Sequence, residues 1–92
     1  MHEESLLRDL VRRVDDVARA HGAARVTCVR LWVGALSHLA GTDLGPRWAL
    51  ATEGTLAAGS RLDLTVSDDP HDPRAASVML ESIDTSGQGE AP

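Results

Sequence analysis

Between Ser5 and His21 the apolar residues Leu6, Leu7, Leu10, Val11, Val14, Val17 and Ala18 recur at spacings of three and four. Arg8, Asp9, Arg12, Arg13, Asp15, Asp16 and Arg19 fill the other side. That period is the signature of an amphipathic helix, whose apolar stripe must be covered by the rest of the chain. With 92 residues in all, the cover has to come from a single small domain. His21-Gly22 closes the helix, since glycine adopts the left-handed conformation of a C-terminal cap and His21 lies at the negative end of the dipole. At the front, Glu3 and Glu4 stand where unpaired amide hydrogens favour acidic groups.

The remaining segments supply the cover. Arg25 to Val33 alternates as a strand does, with Thr27, Val29, Leu31 and Val33 on one side and Val26, Cys28, Arg30 and Trp32 on the other. Gly34 ends it. Gly45-Pro46 opens a second helix running to about Glu53, because proline is tolerated in a first turn. Gly54 and Gly59 frame a turn, after which Arg61 to Val66 places Leu62, Leu64 and Val66 on one strand face. Ser67 to Pro73 is a polar breaker, and Ser77 to Asp84 reads as a third strand. Leu80 and Ile83 break strict alternation, which predicts a bulge near Glu81-Ser82. The order helix, strand, helix, strand, strand predicts an α/β fold: a two-layer sandwich of a three-stranded sheet and two helices. One domain is expected over residues 1–85, followed by a mobile tail over 86–92 that has nothing to bury.

Composition narrows the function classes. Nine basic residues, all arginine, against fourteen acidic ones leave a net charge of −5, which argues against nucleic acid as a partner. No apolar stretch approaches the roughly 20 residues needed to cross a bilayer, and the acidic opening is the reverse of a signal peptide, so no membrane association and a cytoplasmic location are expected. Phe and Tyr are absent, so the core must come from Leu, Val, Ile and Ala. Cys28 is the one cysteine. It permits neither an internal disulfide nor a thiolate-rich zinc site, and a buried strand position is its expected role.

Three of the four histidines have plain readings: His21 as a helix terminus, His71 in a solvated acidic loop beside Asp68, Asp69 and Asp72, and His38 past the first strand. His2 differs through its neighbours. The Met1 amine, the amide nitrogen and imidazole of His2, and the Glu3 carboxylate can converge on one ion through small chelate rings. A bulky second residue also normally blocks removal of Met1. Nitrogen donors with a deprotonatable amide suit a square-planar ion such as Ni(II) or Cu(II). The alternative is an ordinary N-terminus whose glutamates only cap the helix. No P-loop, no dinucleotide fingerprint and no Ser-His-Asp or Cys-His arrangement is present, so no enzymatic activity is expected.

Several segments taken together resemble the hydrogenase nickel-incorporation family HypA/HybF: the opening Met1-His2-Glu3-x-Ser5-Leu6; His21-Gly22-Ala23-x-Arg25-Val26-Thr27 with Val29, Leu31, Val33-Gly34, Leu36 and Ser37; Glu53-Gly54-Thr55-x-Ala57-x-Gly59; and Ser82-Ile83-Asp84. The resemblance covers residues 1 to about 66 and resumes near Val78 to Thr85, with the Met-His-Glu opening at the N-terminus as in that family. It implies a metallochaperone that delivers Ni(II) to the large subunit of [NiFe]-hydrogenase together with a nickel-handling GTPase. The family's nickel-binding histidine corresponds to His2, with Glu3 beside it, so the metal set is Met1, His2 and Glu3, Ni(II) being held transiently.

Two departures from the family pattern stand out. The family carries a zinc-binding insert with two Cys-x-x-Cys pairs between its last two strands, and here the cysteine-free loop 67–76 takes that place. No structural zinc is therefore expected. Many relatives also have an acidic residue a few positions beyond the Leu-Ser pair, where this chain has Ala40; His38, two residues earlier, stands as an additional ligand candidate. The rival reading is a metal-free adaptor of the same family that acts only through protein contacts.

Overall fold

A computed structural model describes residues 2–37, 39–40 and 43–88. Five elements follow in the expected order: α1 (His2–Ala20), β1 (Ala23–Val33), α2 (Gly45–Ala51), β2 (Arg61–Val66) and β3 (Val78–Gln88). β1 is the central strand, paired parallel to β2 and antiparallel to β3. One face of this mixed sheet carries α1, giving the two-layer α/β arrangement.

The helix stripe is what joins the layers. Leu7, Leu10, Val11, Val14 and Ala18 of α1 are buried with Val26, Val29, Leu31 and Val33 of β1, and Leu39, Leu44, Trp48 and Ala57 complete the cluster. Trp48 is the one aromatic in this core, and its indole N–H donates to Ser60 Oγ at 2.9 Å. That partner removes the cost of burying the polar edge. α1 ends where the sequence says it should. Gly22 has φ +70°, and His21 donates from Nδ1 to the Val17 carbonyl at 2.9 Å. Pro46 sits in the first turn of α2, which ends at Ala51, two residues short of Glu53, with Thr52 as its C-cap donating its hydroxyl to the Trp48 carbonyl at 2.8 Å.

The placement of two residues and the end of one strand differ from the sequence reading. Register shifts occur in β1 between Val26 and Cys28 and across Arg30/Leu31, where the partners on β3 jump from Ser82 to Leu80. The second shift leaves Glu81 as the extra residue and is the bulge expected there. The first leaves Thr27 extra and reverses the phase of β1, so Val26 joins the core face instead of the outer one. Val66 was expected beside Leu62 and Leu64, yet it is 49% exposed at the end of β2. β3 also continues to Gln88, pairing Ser86 with Arg25 and Gln88 with Ala23, so residues 86–88 belong to the sheet. Ser86, Gly87 and Gln88 bring no apolar side chain, which hid a segment held by backbone hydrogen bonds. Residues 89–92 of the expected tail lie outside the described residues.

Loop 67–76 is tied to the end of the sheet. Ser67 N–H donates to Val33 O, Gly34 N–H to Ser77 O and Leu36 N–H to Ala75 O, each at 2.8 Å. Ala75 is buried over Gly34, where any Cβ would run into the Ala75 carbonyl group and the Arg74 carbonyl oxygen. Arg74 lies over the Trp32 ring at 4.6 Å from its centroid, a cation–π contact that secures the loop from its other side.

Candidate metal centre and its surroundings

His2 is the first residue of α1 and Glu3 the second, so both belong to the opening turn, upstream of the stripe that enters the core at Leu7. In that turn the backbone N–H groups have no carbonyl partner within the helix. The His2 amide is therefore a group whose proton is not committed to helix geometry. Met1 and His38 lie outside the described residues.

The other sequence candidates are occupied by structural work. His21 is spent on the α1 terminus. In loop 67–76, Asp69 Oδ1 accepts the His71 N–H at 2.9 Å and Asp72 Oδ1 accepts the Arg74 N–H at 2.7 Å. These are turn-forming contacts, and the Arg74 guanidinium hydrogen bond and backbone N–H together hold the Asp72 carboxyl below its ordinary range. Ser37 is buried, with Oγ accepting the Leu39 N–H at 3.1 Å. Among the described residues no group of three or more His, Cys, Asp or Glu side chains is gathered as a metal site.

The outer face of the sheet carries several polar pairs. Arg30 grips Asp84 with two hydrogen bonds of 2.9 and 2.8 Å, and Cys28 Sγ donates to Asp63 Oδ2, which also receives Arg61 at 3.2 Å. The Arg30 hydrogen bond lowers the Asp84 carboxyl. Cys28 is buried, as its strand position predicted.

Asp15 ties three elements together. Its Oδ1 accepts the Leu56 N–H at 3.0 Å and its Oδ2 accepts Arg19 Nε at 2.8 Å, while Leu56 O accepts the Val26 N–H of β1 at 2.8 Å. Burial works to raise this carboxyl, but the Arg19 hydrogen bond, the Leu56 N–H and the Arg19 charge outweigh it and hold it below its ordinary value. The sequence reading assigned Asp15 only to the polar side of a helix.

A second feature escaped the sequence reading. An open groove of about 600 Å³ runs between α1 and α2, lined by Leu7, Val11, Leu50 and Ala51 with Arg8, Arg12 and Arg47 at its margins. The signal for it was present as Arg8 and Arg12, four residues apart beside the apolar stripe, but only α2 turns that edge into a concavity.

Residues 1–70 match the family model described as hydrogenase/urease nickel incorporation, metallochaperone, hypA. Among curated relatives, hydrogenase maturation factor HypA of Methylocella silvestris is 39% identical over 66 residues, which is 72% of this chain and 58% of that protein. Hydrogenase maturation factor HybF of Salmonella typhimurium is 41% identical over 64 residues, 70% of this chain and 57% of the relative. The chain thus spans somewhat over half the length of the curated relatives it matches. The solution structure of the Ni metallochaperone HypA from Helicobacter pylori superposes with a TM-score of 0.65 at 15% identity, covering 90% of this chain and 96% of that one, which supports the fold.

Proposed function

The chain belongs to the HypA family of hydrogenase/urease nickel-incorporation metallochaperones, and from that premise we propose that it carries Ni(II) at Met1, His2 and Glu3 and passes it on during maturation of [NiFe]-hydrogenase. The observation that carries this reading is the run of the family match back to residue 1, across a tripeptide whose chemistry independently suits the ion. The Met1 amine, the His2 amide and imidazole, and the Glu3 carboxylate are borderline and hard donors without a thiolate, the set Ni(II) accepts in a planar arrangement. Placement of His2 in the first turn of α1 supports amide coordination, since losing that proton breaks no helix hydrogen bond. Incomplete coordination suits a carrier, because a donor that enclosed the ion would release it slowly. Its natural partners on this reading are a nickel-handling GTPase and the hydrogenase large subunit in the cytoplasm. Loop 67–76, at the place of the family's zinc insert, is cysteine-free and is tied to Val33 and Leu36 through Ser67 and Ala75, which supports the zinc-free reading.

Isothermal titration of the protein with Ni(II) tests the assignment. His2→Ala is expected to abolish most of the binding while the circular dichroism spectrum stays unchanged, since the core begins at Leu7. One residue added before Met1 should do nearly as much damage by displacing the amine from its chelate ring. Undiminished binding by His2→Ala would move the site elsewhere, and no binding by the parent protein would return the metal-free adaptor reading.

A further inference from the structure

We propose that the groove between α1 and α2 is the docking site for an acidic amphipathic helix of a partner protein. The proposal does not depend on nickel binding at the opening tripeptide.

Arg19, Arg30, Arg61 and Arg74 are each paired with a carboxylate of this chain: Asp15, Asp84, Asp63 and Asp72. Arg8 and Arg12, at the margin of the groove, make no such pair with the described residues. Among the described residues lining the groove Asp15 is the one acidic residue, and its two oxygens are taken by Arg19 and the Leu56 N–H. Among the described residues the concavity therefore presents the charges of Arg8 and Arg12 without a carboxylate partner, on a protein whose net charge is −5. An acidic occupant is selected by charge, and the acidic remainder of the surface repels it from other sites.

The shape selects a helix. Leu50 is 69% exposed on one wall, a large apolar side chain held out beside Leu7 and Val11. Arg8 and Arg12 are one turn apart along α1, about 6 Å. Carboxylates spaced i, i+4 on a second helix lying along α1 repeat that distance, while leucine-type residues between them meet Leu50, Val11 and Ala51. An open trough bounded by two helices takes such a segment lengthwise.

The test uses the whole 92-residue chain, isotopically labelled, and a synthetic helical peptide of about 18 residues, long enough to hold helix in water. Its leucine stripe is flanked by glutamates, and a twin peptide carries lysine in place of each glutamate. Expected are amide shifts confined to Leu7, Val11, Leu50, Ala51 and Thr55, an affinity that falls as salt is raised, and no binding by the lysine twin. Arg8→Glu with Arg12→Glu should weaken binding about tenfold or more, and Leu50→Ser, at an exposed position that leaves the core intact, should weaken it as well. The proposal is overturned if no shift appears at millimolar peptide, if shifts fall outside the groove, if both peptides bind alike, or if the double charge reversal has no effect. It is also overturned if the protein alone sediments as a dimer that Leu50→Ser dissolves, since a second copy would then be the occupant.

Discussion

Gly34 shows how much a single backbone position decides in this chain. Its φ is ordinary, so the requirement is one of space: the Arg74 and Ala75 carbonyl groups pass where a Cβ would be. Gly34→Ala is expected to lower stability by about 1–3 kcal/mol, the usual cost of forcing atoms into a packed site. Urea unfolding checks this, with Gly45→Ala as the control, because a Cβ there meets only Asp43 Oδ1 at an unstrained 3.5 Å. In the sequence Gly34 reads only as the end of a strand, since its close neighbour lies about forty residues away and nothing local announces it. His2 is the opposite case, a residue whose role is readable from its immediate neighbours. If its imidazole and the Met1 amine hold Ni(II), affinity should fall steeply between about pH 7.5 and about pH 5.5, because groups titrating near about 6.5 and 7.7–8.0 must lose protons to bind. Glu3, near about 4.3, adds little to that slope. A flat profile in a non-chelating buffer would mean that carboxylates hold the ion.

At the level of elements, α1 and its glycine stop were legible because period and cap are local signals, and β2 likewise within its six residues. The central strand was misread on one point. Strict alternation assigns Val26 outward, and only pairing with β3 reveals that Thr27 is skipped and the phase reversed. The bulge at Glu81 was visible because two apolar residues, Leu80 and Ile83, fell out of step; Thr27 leaves no such mark, since either phase reads as a plausible strand. Asp15 is another tie that only the assembled elements show. Its hydrogen bond from Leu56 N–H joins α1 to the segment that also bonds Val26 of β1. Asp15→Ala should cost about 1.5–3 kcal/mol, the range for a hydrogen bond to a charged group, with Asp15→Asn losing less because an acceptor remains. The sign of the pH dependence follows from the lowered carboxyl. Its contribution is complete above the unfolded value near about 3.9 and is lost as pH falls through the lower folded value. The stability gap between the parent and Asp15→Asn should therefore be present at neutral pH and narrow as the pH falls below the unfolded carboxyl's value; an unchanged gap would remove the charge from the account.

For the whole molecule, the proposed nickel set and the core occupy different parts of the chain, and this has a thermodynamic consequence. Leu31, Val29, Val33 and Val14 are fully buried at the centre, where truncation of one leucine typically costs about 2–5 kcal/mol. Met1, His2 and Glu3 are consecutive in sequence, so the unfolded chain keeps the same donors within reach of one another. A ligand stabilises a fold only by binding it better than the unfolded chain. Nickel at about a hundred times its dissociation constant would add roughly 2.7 kcal/mol if the site existed only in the folded protein. For a tripeptide site the gain should be a small fraction of that, and the midpoint of thermal unfolding should shift only slightly on adding Ni(II), although titration shows binding. The same measurement decides the part of His38, which stands thirty-six residues from His2 and reaches a shared ion only when the domain is folded. A shift equivalent to the full 2.7 kcal/mol that disappears in His38→Ala would show a site completed across the fold; a small shift that His38→Ala leaves alone would keep the ion at the first turn of α1.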